Sequence, residues 1–279
     1  MAALVYLLAL SQAAWAWEAP TYPGFKLIWQ DNFAGAAGAM PSSENWDIVT
    51  DISVNNELQK YTTSNRNLQM SGGQTLQIVP WRENGIWTSG RLESKYTVTP
   101  EAGCLTIAEA QIRFGSNDGG SKQGMWPAFW MLGDSIRSGT GWPECGEIDI
   151  LETVNGELEG FGTLHCDVFP GGVCNEPNGR GHTVSFPDQE WHTWRVTWDL
   201  QDADWRGQSI AWFRDGEQFH EVTGADIGVE GVWSSVAHSP MFFILNMAVG
   251  GNLPGDPNDS TKDGYGSMME VGYVAHYTQ

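Results

Sequence analysis

Gly146-Glu147-Ile148-Asp149-Ile150-Leu151-Glu152 sets three carboxylates among aliphatic residues, and the rest of the chain reads as a frame around it. Ile148, Ile150 and Leu151 favour a buried strand, where ionised neighbours are expensive unless they have a task. Side chains alternate along a regular strand, so Glu147 and Asp149 share a face with Leu151 while Glu152 points the other way. One extra residue at Ile150-Leu151, a β-bulge, shifts the phase by one and returns Glu152 to the face of Glu147 and Asp149. The spacing therefore predicts a bulge. Paired carboxylates on one face suit glycosidic bond cleavage, one as nucleophile and the other as an acid that later serves as base. Asp149 between them would separate their charges and help to hold a proton on Glu152. An exposed edge strand with solvated acids would show the same spacing.

At 279 residues and 41% hydrophobic content, the chain is long enough for one sizeable all-β core. Residues 1–16 read as a secretory signal, with an apolar run from Ala2 to Leu10 and small residues around Ala14-Trp15-Ala16. The run falls short of the roughly 20 apolar residues that span a bilayer. Residues 17–279 are then expected to form a single domain, secreted and acting as a monomer.

The formal charge of −20 argues against nucleic acid or an anionic membrane as partner. Fifteen Trp, 7 Tyr and 11 Phe in so acidic a chain point instead to a neutral ligand with stackable faces, and sugars fit that description. More than half of the Trp are expected to fill the core. Four cysteines in a secreted chain should be oxidised. Three pairings are possible; Cys166 and Cys174 bracket the Gly-rich loop Asp167 to Val173 and are the natural local pair, which leaves Cys104 with Cys145. The spacings match no zinc motif, so neither metal nor other cofactor is expected.

Strand-like pieces recur along the chain between turn signals. They include Lys26 to Gln30, Thr75 to Val79, Arg91 to Val98, Ala108 to Phe114, Trp191 to Trp198 and Ser209 to Arg214, the last leading into the hairpin turn Asp215-Gly216. Met241 to Val249 is apolar on both faces except for Asn246, as in a strand covered on both sides. No long stretch shows a helical period. The pattern suggests two stacked antiparallel sheets.

Glu147 to Glu152 resembles the E-x-D-x-x-E signature of family-16 glycoside hydrolases, in the bulged form of the laminarinase-like branch. Matching segments follow in order: Asn55-Asn56-Glu57-Leu58-Gln59 with Tyr61, Ser89-Gly90-Arg91, Gly124-Met125-Trp126-Pro127-Ala128-Phe129-Trp130-Met131, Trp191-His192-Thr193, and Phe242 to Gly251. The resemblance implies a β-jelly-roll sandwich with a concave substrate cleft and a retaining mechanism. It makes Glu147 the nucleophile, Glu152 the acid/base and Asp149 their helper. By the same resemblance Trp126 and Trp130 line sugar subsites, Asn56 and Arg91 bind hydroxyls on the non-reducing side, and His165 lies near the acid/base. Trp142, in a Gly-rich loop before the acidic strand, either walls the cleft or simply packs, and Asn246 either contacts substrate or satisfies a buried backbone group. The implied activity is endo-hydrolysis of β-1,3-glucan, with mixed β-1,3-1,4-glucan as a further substrate. A non-catalytic β-glucan-binding protein and a transglycosylase are the alternatives on this scaffold. Many relatives bind a structural calcium through an Asp in the final strand, where this chain has Gly272, so no metal is expected there either.

Overall fold

Alternation of apolar and polar side chains runs through most of the chain, and residues 17–279, which the computed structural model describes, fold largely as strands. The expected leader, residues 1–16, lies outside the described residues. In chain order the strands are β1 (Lys26–Asp31), β2 (Trp46–Ile48), β3 (Lys60–Tyr61), β4 (Leu68–Met70), β5 (Leu76–Ile78), β6 (Trp81–Glu83), β7 (Ile86–Ser89), β8 (Arg91–Val98), β9 (Leu105–Phe114), β10 (Met125–Gly133), β11 (Glu147–Glu152), β12 (Glu159–His165), β13 (Arg180–Ser185), β14 (His192–Asp199), β15 (Ser209–Arg214), β16 (Glu217–Thr223), β17 (Met241–Val249) and β18 (Met269–Thr278). Two short helices, α1 (Gly224–Ile227) and α2 (Glu230–Ala237), lie between β16 and β17.

One sheet runs β13-β12-β11-β10-β17-β8-β2, with the acidic strand β11 near its middle; the other runs β16-β15-β14-β9-β18-β5-β4, with β1 added along β18. Every pair within these two sheets is antiparallel. This is the expected jelly-roll sandwich. A small third sheet, β3-β7-β6, holds the parallel pair β3–β7 and was not foreseen, because a two-residue strand is too short to show a period.

The core lies between the two large sheets. On β14 the two-residue period buries Trp194, Val196 and Trp198 fully, and from the facing sheet β11 contributes Ile148, Ile150 and Leu151 to the same cluster. Each such large side chain contributes about 1.5–3 kcal/mol by leaving water. Trp46, Trp87, Trp212 and Trp233 are also buried there, and Trp29 and Trp205 pack against it, so most of the described indoles are structural. As its apolar composition implied, β17 is covered on both faces: Phe243 and Leu245 face the core, while Phe242 and Ile244 join Leu132 and Cys145 in a separate cluster on the other side.

The helices escaped a period search because α1 has four residues and α2 eight, too few turns for a 3.6-residue stripe to register. Local chemistry still specifies α1: the Thr223 hydroxyl accepts from the Asp226 amide, and the Asp226 carboxylate accepts from the Thr223 amide, a reciprocal cap.

Cys166 and Cys174 are joined, as expected. Cys104 and Cys145 are not; both are free thiols. Elimination by number fails because a disulfide needs Cα atoms within about 7 Å, whereas these two cysteines precede β9 and β11, strands of different sheets. Gly272 offers no side-chain oxygen, the Trp17 indole lies 3.2 Å from where its Cβ would be, and Glu270 is committed to Arg113, 2.6 Å away.

Candidate active site

The bulge lies where the spacing placed it. On the β10 side Trp130 pairs with Asp149 and Phe129 with Leu151, leaving Ile150 as the extra residue. On the β12 side the register passes from Asp149–Thr163 to Glu152–Phe161, so Ile150 and Leu151 share the single position of Gly162. The Trp212 indole, from the opposite sheet, donates to the Asp149 carbonyl at 2.7 Å, and a Cβ on Gly162 would meet that same ring at 2.7 Å. With both Ile150 and Leu151 turned into the core, Glu152 emerges on the face of Glu147 and Asp149.

That face is crowded with charge. Burial, then the neighbouring Asp149, raises Glu147 well above the usual carboxyl range, while His165 pulls it back. For Glu152 burial, then Asp149, raises it to about 8, opposed by the Trp126 indole, which donates to Glu152 Oε1 at 2.7 Å. His165 stands opposite Glu147 in the β11–β12 ladder. Its Nε2 is 3.3 Å from Asp149 and 4.0 Å from Glu147, and its Nδ1 is 2.7 Å from Glu176. Burial works against charging this ring, but hydrogen bonds to Asp149 and Glu176, with the charges of Asp149 and Glu147, lift it to about 11. His165 thus bears most directly on the Glu147 end of the strand, and its charge also acts on Glu152, the expected acid/base.

Glu147, Asp149 and His165 bring ligand atoms within 4.8 Å of one another, a spacing that suits a cation. Both ring nitrogens of His165 are already engaged, Nε2 by Asp149 at 3.3 Å and Nδ1 by Glu176 at 2.7 Å.

The two tryptophans of β10 share the cleft face. Trp126 reaches Glu152, and Trp130 donates to Asn246 Oδ1 at 2.7 Å while the Arg91 guanidinium lies 4.9 Å above its ring. Arg91 is buried and paired with Glu93 at 2.7 Å. Asn246 in turn donates to the Tyr61 hydroxyl at 3.2 Å, so it satisfies side chains rather than a backbone group. Asn56 is exposed on a turn, with a left-handed φ of 57° and a 2.7 Å bond to Asn252. Trp142 is 39% exposed and stands 5.7 Å from the His165 ring.

Two acidic neighbours were missed. Glu57 belongs to a motif quoted above, but nothing in the sequence showed that its charge would bear on Glu152. Glu176 is buried, accepts from the Cys166 amide at 2.9 Å and holds His165; its only sequence signal is a place two residues past the disulfide.

A sandwich with carboxylates beside indole platforms across one open face defines the carbohydrate-active class of jelly-roll catalytic domains. The family described as XgeA-like, catalytic GH16 domain, matches residues 56–185. The chain is 30% identical over 265 residues to the glucan endo-1,3-beta-glucosidase of Cryptopygus antarcticus, covering 90% of this chain and 92% of the relative. It is 29% identical to the glucan endo-1,3-beta-glucosidase A1 of Niallia circulans over 93% of this chain, yet spans only 39% of that relative's length. The solved endo-1,3-beta-glucanase of Streptomyces sioyaensis superposes with a TM-score of 0.88 at 33% identity, covering 94% of this chain and 99% of that one. This chain belongs to glycoside hydrolase family 16.

Proposed function

We propose that the protein is a secreted endo-hydrolase of β-1,3-linked glucan that works by double displacement with retention. The observation that carries this reading is the bulge at Ile150-Leu151, which turns Glu147 and Glu152 to one face with Asp149 between them. Glu152 gives its proton to the glycosidic oxygen as Glu147 attacks the anomeric carbon; the C–O bond breaks and a glycosyl ester forms on Glu147. Glu152, now a carboxylate, takes a proton from water, whose oxygen attacks the same carbon and expels Glu147.

The resting proton belongs on Glu152. The His165 ring stands 3.3 Å from Asp149 and 4.0 Å from Glu147, so negative charge is favoured at that end. Trp126 and Trp130 offer apolar platforms to sugar C–H faces, and Asn56 and Arg91 lie on the non-reducing side. The similarity to glucanases over nearly the whole chain supports a glucan substrate. The leader-like residues 1–16 and the Cys166–Cys174 bond support secretion.

The test is release of reducing ends from laminarin, lichenan and agarose side by side. Laminarin should be cut internally with β-anomers as first products, and Glu147→Gln should reduce the rate to background. Full activity in that variant, or binding of laminarin without products, would overturn the reading.

A further inference from the structure

The loop between Cys166 and Cys174 carries two apolar side chains that the chemistry above does not use. Val168 is 55% exposed and Phe169 58%, among the most exposed large apolar residues described. Their loop is built rather than slack. The disulfide closes it with Cα atoms 5.4 Å apart, Asp167 turns inward to accept from the Val173 amide at 2.9 Å, and Gly171 and Glu176 exchange backbone hydrogen bonds across its base. With Asp167 so engaged, the exposed tip Val168-Phe169-Pro170-Gly171 bears no charge.

Phe169 is also continuous with the catalytic face. Its ring centroid lies 6.0 Å from that of Trp142, and Trp142 lies 5.7 Å from His165, which faces Glu147. The three rings therefore make a continuous chain of contacts from His165 through Trp142 to Phe169. His165 is on β12 and Phe169 in the loop that follows it, whereas Arg91, Asn246 and Trp130 stand across β11 on β8, β17 and β10.

We infer that Phe169, with Trp142, forms a leaving-group subsite that takes a neutral sugar unit on the reducing side of the scissile bond. This rests on the functional reading above, which assigns the opposite flank to the non-reducing side. Apolar rings held out on a pinned loop whose tip carries no charge suit the C–H face of a pyranose.

The experiment compares two substrates that share the same non-reducing part. One is an aryl β-glycoside of a short laminari-oligosaccharide, whose small leaving group ends before Phe169; the other is a laminari-oligosaccharide extended at its reducing end. Phe169→Ala should lower kcat/KM for the extended substrate roughly 5- to 10-fold, which corresponds to about 1–1.4 kcal/mol, and leave the aryl glycoside and the melting temperature unchanged. Phe169→Trp should retain the extended-substrate activity. An equal loss on both substrates would assign Phe169 a structural role, and no loss on either would leave it plain surface; each outcome overturns the subsite. A wild-type protein that cleaves neither substrate sinks the functional reading and the subsite together, whereas an active wild type with an indifferent Phe169→Ala sinks the subsite alone.

Discussion

Glu176 and Asp149 approach His165 from its two ring nitrogens, at 2.7 and 3.3 Å, and so keep a cation beside the nucleophile. A histidine raised to about 11 stabilises the fold fully below its ordinary value near 6.5 and loses that contribution as pH climbs toward 11. Glu176→Gln removes one of the two charges. Its melting temperature should therefore fall by roughly 5 °C at pH 6, with the gap to wild type closing as pH approaches 10, in thermal melts taken across that range. A gap independent of pH would mean that Glu176 only packs the loop. Glu152, raised to about 8 by burial and Asp149, should set the alkaline limb of the pH–rate profile, because the acid is lost as it ionises. With an aryl leaving group that needs no protonation, Glu152→Ala should keep measurable turnover and lose that limb; a limb that persists would place the proton elsewhere. The carboxylates and the β10 indoles were legible because they sit on strands, where spacing fixes direction. Glu176 was not, since its contact with His165 exists only once a loop has closed.

At the scale of elements, the bulge was legible for the same reason: the strand's period put Glu152 on the wrong face, and one inserted residue was the smallest repair. What steadies the bulge was not legible, because it comes from the other sheet. The Asp149 carbonyl is bonded to the Trp212 indole, from a strand more than 60 residues along. Trp212→Phe should leave that carbonyl without its partner in the core, at a cost of about 1–3 kcal/mol, and loosen the strand that orients Glu152. Both a lower denaturation midpoint and a lower kcat are expected, whereas unchanged kcat at reduced stability would show that the bulge holds its shape unaided. Strands such as β14 and β17 could be read from pattern alone, but the pairing of β3 with β7 and the failure of Cys104 and Cys145 to meet depend on which chain segments lie side by side. Cysteine counting is blind to that distance.

Across the whole molecule, 34 acidic residues outnumber 14 Lys and Arg, and the cleft shares the imbalance. Glu147, Asp149 and Glu176 gather around His165 and Glu57 bears on Glu152, while Arg91 is already paired with Glu93. A neutral polymer feels little of this field, but a sulfated one is repelled over a distance set by the salt. Screening lengths are about 30 Å at 0.01 M and about 10 Å at 0.1 M ionic strength, so exclusion of a polyanion should be strongest in dilute buffer. Laminarin hydrolysis should accordingly change by less than about twofold in kcat/KM between those two salt concentrations. Sulfated laminarin, with the same backbone, should be cut poorly at low salt and less poorly as salt is added. Should the sulfated polymer instead be preferred in dilute buffer, a cationic surface must guide the substrate to the cleft, and the neutral-sugar reading of both the catalytic face and the Phe169 loop would fail with it.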